Sequence, residues 1–313
     1  MFVAHFRVIQ RLEGWVARGQ LCRLLLSAMV IMAIGFSAQA VTFTYSFIPY
    51  PNLGVSPIGG GINDSGQIVV GGGGSFLRQP DGTVSPITSN GYTSLYAINN
   101  PGQMVGVDDS GGSHGVFRDS NGSYSRILLS PERPGCGTPF GGFGFGINNL
   151  VQIVGFDTCG SGFIAAGLSE SYKTFDCPNS PVQTRVEGIN DLGQAVGFCF
   201  YGTNGQPQYA FSRDVNGNIT SLSQPGWISS EARGINNAGQ IVGNFSDGSG
   251  QHGFFRDKDG SVSVLQGTAL GINGSAREFG ETANWRRLER FALPGMAGIR
   301  IPARSGRSGA ATC

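Results

Sequence analysis

One short block recurs along this chain, and it constrains the fold more than any other feature. Its first copy reads Gly61-Ile62-Asn63-Asp64-Ser65-Gly66-Gln67-Ile68-Val69. Later copies keep the order: Ile98-Asn99-Asn100, Ile147-Asn148-Asn149, Ile189-Asn190-Asp191 and Ile235-Asn236-Asn237, each followed by a Gln, an apolar pair and Gly. A sixth begins as Gly271-Ile272-Asn273-Gly274-Ser275 and then loses the pattern. The motif isoleucines fall 36, 49, 42, 46 and 37 residues apart. A period of ~40–45 residues suits a four-stranded propeller blade, whereas leucine-rich solenoids repeat every ~20–29.

Each repeat parses as four short strands. Ile62-Asn63 ends the first, and Asp64-Ser65-Gly66 makes a tight turn into Gln67-Ile68-Val69, with Gly supplying positive φ. An aromatic strand follows, clearest in His114-Gly115-Val116-Phe117-Arg118 and His252-Gly253-Phe254-Phe255-Arg256. A second turn, such as Asp119-Ser120-Asn121-Gly122, leads to a fourth strand. One such sheet cannot bury both faces, so neighbours must stack on it, and ring closure removes exposed edges. The expected fold is all-β: a β-propeller of about six four-stranded blades, the last incomplete, with an open β-solenoid as the alternative. Thr42 to Ile48 resembles a fourth strand without a blade of its own, placed to complete the sixth blade and lock the ring.

Composition agrees with a turn-rich repeat. Gly accounts for 52 of 313 residues and charged residues for 13%, against average usages of about 7% and 25%. The glycines follow no Gly-X-Y period, and no apolar run reaches the ~18 residues of a membrane span.

Residues 1–40 read as an export signal. Arg7, Arg11, Arg18 and Arg23 precede the apolar run Leu24 to Phe36, and Ala38-Gln39-Ala40 supplies a small-x-small cleavage site. The mature chain is expected to start at Val41, secreted or at the cell surface. Residues 41–275 then hold ten basic and sixteen acidic residues, a net of −6, which offers no footprint for nucleic acid. No transmembrane segment is expected in the mature chain. The expected partners are an extracellular protein or a glycan.

The Gly-Ile-Asn-Asp/Asn-x-Gly-Gln-Ile-Val-Gly block with its His-Gly-Phe strand resembles the HAF-repeat proteins of bacteria. The resemblance covers about Thr42 to Ser275 and implies an exported bacterial repeat protein, with no activity attached to the repeat. Beyond Ser275 the motif stops and Arg becomes frequent, seven times from Arg277 to Arg307. Residues 276–313 are therefore expected to be an Arg-rich tail, disordered or the product of a frameshift in the sixth copy.

Candidate chemistry is sparse. His114 and His252 occupy the same place in two repeats, which fits packing better than a catalytic His, since that acts once per site with an orienting carboxylate. Asp119-Ser120-Asn121-Gly122 and Asp257-Lys258-Asp259-Gly260 begin like calcium loops but lack the downstream bidentate Glu. No cofactor is expected, and calcium is the one candidate metal. The motif asparagines Asn63, Asn99, Asn148, Asn190, Asn236 and Asn273 either line a channel or bond nearby backbone at their turns, and the turn role is preferred. Gly142-Phe143-Gly144-Phe145-Gly146 superficially resembles a nucleotide-binding loop but leads into no helix, and reads as a linker between blades. Cys136, Cys159, Cys177 and Cys199 are candidate disulfide partners, with three pairings open.

The expected function is a non-enzymatic binding scaffold. The alternative is a hydrolase or lyase with its site at the central channel, which needs one blade to depart from the others by gaining a His, Asp or Arg cluster. No such blade stands out.

Overall fold

A computed structural model describes residues 43–48, 59–72, 74–87, 93–108, 114–129, 142–168, 172–179, 182–202, 208–265, 267–281 and 287–292. The chain divides into Met1–Thr42 and Phe43–Cys313. The export segment expected over residues 1–40 lies outside the described residues.

Strand β1 (Phe43–Ile48) precedes the first motif. The first repeat then gives β2 (Gly59–Ile62), β3 (Ile68–Gly71), β4 (Ser75–Arg78) and β5 (Val84–Ile87). The second gives β6 (Thr93–Ile98), β7 (Met104–Asp108), β8 (His114–Arg118) and β9 (Tyr124–Arg126). In the third are β10 (Phe143–Ile147), β11 (Gln152–Phe156), β12 (Gly162–Ala166) and β13 (Tyr172–Phe175). The fourth holds β14 (Gln183–Ile189), β15 (Ala195–Phe200), β16 (Gln208–Arg213) and β17 (Ile219–Ser221). The fifth holds β18 (Ser229–Ile235), β19 (Ile241–Asp247), β20 (Gly250–Arg256) and β21 (Val262–Leu265). The last strands are β22 (Thr268–Ile272), β23 (Arg277–Glu281) and β24 (Arg287–Ala292).

Five repeats each form an antiparallel sheet in chain order, and the sixth sheet runs β1-β24-β23-β22. The N-terminal strand thus completes the last blade, with Phe43 opposite Ala292 and Ile48 opposite Arg287. Among the described residues six apolar clusters hold the sheets together, one for each neighbouring pair. Phe163 and Ile153 meet Val105 and Phe117 between the second and third sheets, and Ile62, Ile68 and Val70 meet Leu270 between the first and the sixth. That last cluster closes the ring, so the structure is a six-bladed β-propeller and the open solenoid is set aside.

Two expectations are corrected here. The sixth blade is four-stranded, and part of the segment assigned to an Arg-rich tail belongs to it. Ala276 takes the left-handed place that glycine holds in four of the copies, at φ 55°, and its N–H donates to Asn273 O at 3.0 Å. Arg277–Glu281 and Arg287–Ala292 then pair as β23 and β24. A ladder needs only backbone N–H and C=O groups, so it persists where the side-chain motif has been lost.

The motif glycine after Gln-x-Val has a steric cause. In sheets two to six the first strand carries a register shift just before the motif, as between Val186 and Gly188. A Cβ on Gly197 would sit 2.0 Å from Arg185 O, and one on Gly155 would sit 1.7 Å from Phe143 O. Only glycine lets the second strand pass under that carbonyl.

Candidate functional site

The first strands of all six sheets, β2, β6, β10, β14, β18 and β22, line one central cavity of about 260 Å³. Their closing Gly/Ala-Ile pairs are nearly constant. The residue before each pair is not: Gly60, Tyr96, Phe145, Glu187, Arg233 and Leu270 in ring order. This position breaks the repeat and gives the cavity two unlike halves.

Blades two and three supply the aromatic half. The Tyr96 and Phe145 rings stack at 5.3 Å and 13°, and Phe156 stacks behind Phe145 at 5.7 Å. Blades four and five supply the ionic half. Arg185 Nε donates to Glu187 Oε1, Arg233 Nη1 donates to Glu187 Oε2 at 3.1 Å, and Arg233 Nη2 donates to Glu231 Oε2. The two halves are joined by Arg185, whose guanidinium carbon lies 3.9 Å from the Phe145 ring centroid. The Glu187 side chain is only 9% exposed. Burial alone would raise its carboxyl, but the Arg185 and Arg233 guanidiniums outweigh burial and hold it below its ordinary value of 4.5. For Arg233, burial acts to lower the value, and Glu187 and Glu231 overcome it to keep the guanidinium firmly charged. The Arg233 Nε is buried without a hydrogen-bond partner among the described residues.

Blades four and five thus depart from the others by an Arg-Glu cluster, contrary to the expectation that no blade would, and they do so outside the motif. Arg185, Glu187, Glu231 and Arg233 stand just before it, and the readable signal was a variable position fixed in register against a constant block. Gly142 to Gly146 is likewise no linker: Phe143–Ile147 is β10, and Phe145 lines the cavity.

The six motif asparagines have a different task. Each is buried, at 3–4% exposure. Asn63 Oδ1 accepts from Gln67 N and Asn148 Oδ1 from Gln152 N, so the turn role is present. Each Nδ2 also donates to the motif asparagine carbonyl of the next blade, from Asn63 to Asn99 O at 3.1 Å onward, until Asn273 donates to Asn63 O at 3.0 Å. These amides form an internal girdle. The following residue forms a second series, open at Gly274, which has no side chain to accept: Asp64 N donates to Asn100 Oδ1, Asn100 N to Asn149 Oδ1, Asn149 N to Asp191 Oδ1 and Asp191 N to Asn237 Oδ1, at 2.8–2.9 Å. Asp and Asn alternate freely there because either one supplies Oδ1.

Elsewhere the candidates serve local structure. His114 is buried, with Nε2 3.7 Å from Asp108 Oδ2. His252 Nε2 meets both Ser249 Oγ at 2.9 Å and Asp247 Oδ1 at 3.3 Å. A catalytic relay needs the acid and the nucleophile on opposite ring nitrogens, so this trio closes a hairpin. The Asp119 carboxylate accepts from Asn121 N and Ser123 N, and Asp259 accepts from Ser261 N. No group of three or more His, Cys, Asp or Glu poised for a metal occurs among the described residues. Cys177 is disulfide-bonded to Cys199, and Cys159 is also in a disulfide; Cys136 lies outside the described residues. Trp227 stacks on Phe245 at 4.2 Å, within the core. Tyr201 donates its hydroxyl to Pro178 O. Among the described residues no helix is long and apolar enough to cross a membrane.

The fold and its centre define a six-bladed propeller with an asymmetric channel. Solved propeller structures are similar to it. One is a catalytically inactive virginiamycin B lyase from Staphylococcus aureus with quinupristin, at TM-score 0.51 and 10% identity, covering 80% of this chain and 100% of that one. Another is a candidate TolB from Agrobacterium tumefaciens, at TM-score 0.51 and 12% identity, covering 76% and 90%. At such identities the likeness is one of fold alone. No protein-family model matches the chain, and no curated protein matches it.

Proposed function

We propose that this chain is an exported, non-enzymatic binding protein of the HAF-repeat type, with its ligand site in the central channel. The observation that carries this reading is the break in sixfold repetition at Gly60, Tyr96, Phe145, Glu187, Arg233 and Leu270. A ring built only for stability has no reason to place three partly buried charges, Arg185, Glu187 and Arg233, around its centre, where desolvation is costly. Concave cavities with a few convergent polar groups are the usual places for small ligands. Binding is preferred to hydrolysis or lysis because Glu187 and Arg233 are tied to each other, Arg233 Nη1 on Glu187 Oε2 at 3.1 Å, and are held charged by that pairing. Neither is poised to exchange a proton near neutral pH.

The test is a ligand screen of the purified protein, repeated on two variants. Tyr96→Ala should weaken any hit ~10-fold, about the loss of one stacked contact. Lys258→Ala, beside a separate surface pocket between blades four and five, should leave binding unchanged. Hits that ignore Tyr96→Ala would move the site away from the channel. Export is checked separately by N-terminal sequencing of protein recovered from the medium, with Val41 expected first.

A further inference from the structure

The chemistry of the channel narrows what it can hold; this step rests on the channel being the ligand site. Charge comes first. Arg185, Glu187, Glu231 and Arg233 neutralise one another within a single contact network. An anion entering would compete with Glu187 and Glu231 for the guanidiniums, and a cation would compete with Arg185 and Arg233 for the carboxylates. Either exchange breaks a partly buried ion pair, which is strongly unfavourable. A neutral ligand avoids that cost.

Shape comes second. Next to Tyr96 in the ring stands Gly60, which has no side chain, and beyond it Leu270. The ring therefore has a notch at Gly60, between the Tyr96 ring on one side and Leu270 on the other. The cavity volume of about 260 Å³ falls just below the ~300–1,000 Å³ range of small-molecule sites, so it has room for no more than a single ring.

Hydrogen bonding comes third. Arg233 and Glu187 both line the cavity and pair with each other, so a guanidinium and a carboxylate stand side by side at its wall. A hydroxyl accepts from a guanidinium and donates to a carboxylate at once. A plain aromatic ligand would stack on Tyr96 but would take water from Arg233 and Glu187 without replacing its hydrogen bonds.

We propose that the channel binds the terminal ring of a neutral glycan, its apolar face on Tyr96 and its hydroxyls bridging Arg233 and Glu187. The experiment combines a glycan array carrying neutral and acidic glycans with methyl NMR of Leu270 in the full chain. Neutral glycans should bind, move the Leu270 methyl resonances, and lose affinity ~10-fold in Tyr96→Ala. Tyr96→Phe keeps the aromatic face, so it should retain binding and separates lost stacking from lost folding. Raising the salt should hardly change the affinity, because the ligand carries no charge.

Binding confined to acidic glycans with a steep salt dependence would overturn the glycan class and leave the channel as the site. Neutral glycans that bind without moving Leu270 and without sensing Tyr96→Ala would overturn the channel itself. No glycan binding at millimolar concentration would overturn the proposal, and a non-sugar hit that moves Leu270 would then keep the channel alone.

Discussion

Gly193 and Val151 occupy equivalent places in two copies of the motif and show what the turn demands. Gly193 has φ 77° and Val151 φ 60°, a region that costs a non-glycine residue about 1–2 kcal/mol. Val151 packs against the cluster around Ile153 and Phe163, which offsets its strain. Gly193 has no such neighbour, since a Cβ there would reach only Val215 and Gln152 at 3.8–4.0 Å. Gly193→Ala should therefore destabilise the protein by about 1 kcal/mol in urea unfolding. Glu187 is the other telling residue. Its carboxyl is lowered from 4.5 in the folded protein, so its contribution to stability is fully present above that value. That contribution is lost as pH falls through the lower folded value. Glu187→Gln should cost about 3 kcal/mol at neutral pH, by leaving Arg185 and Arg233 short of a counter-charge. It should also flatten the acid limb of a stability profile taken downward from pH 5.

At the scale of elements, the bulged first strand and the glycine beneath it work as one unit. Gly197→Ala puts a methyl 2.0 Å from Arg185 O, and a loss of about 3 kcal/mol is expected for forced overpacking. Because Arg185 belongs to the channel, this variant should also weaken ligand binding, which calorimetry can follow. The Cys177–Cys199 disulfide ties the exit of β13 to β15 across 22 residues of sequence. In the chain-entropy account, closing a loop of that length stabilises by about 3 kcal/mol. Unfolding with and without reductant measures it, and the Cys177→Ser variant separates this bridge from the one at Cys159. The strands themselves were legible because turn and alternation chemistry repeats five times. The sixth copy was not: its last two strands carry no motif, and a backbone ladder leaves no obligatory trace in the side chains.

At the scale of the molecule, the sequence disclosed a ring and its blade count but not its centre. Asn63 and its equivalents could be assigned to turns from local spacing alone. Their donation to the next blade joins residues 36 to 210 apart, a relation no local pattern records. The pairing of Glu187 with Arg233 was hidden for a similar reason, since it joins neighbouring blades across 46 residues. Removing β1 should show how far closure depends on the N-terminal strand. Deleting residues 41–48 exposes β24 as an unpaired edge, so light scattering should detect concentration-dependent association. A monomer with unchanged melting would mean that β1 contributes little to the ring.

The central claim is that the unlike side chains at the channel form a binding site, and a crystal structure of the protein soaked with the tightest glycan from the array tests it most directly. The account predicts a single sugar ring in the notch beside Gly60, stacked on Tyr96 and within hydrogen-bond distance of Arg233 and Glu187. Glycan density on an outer face, with the channel filled only by water, would contradict it.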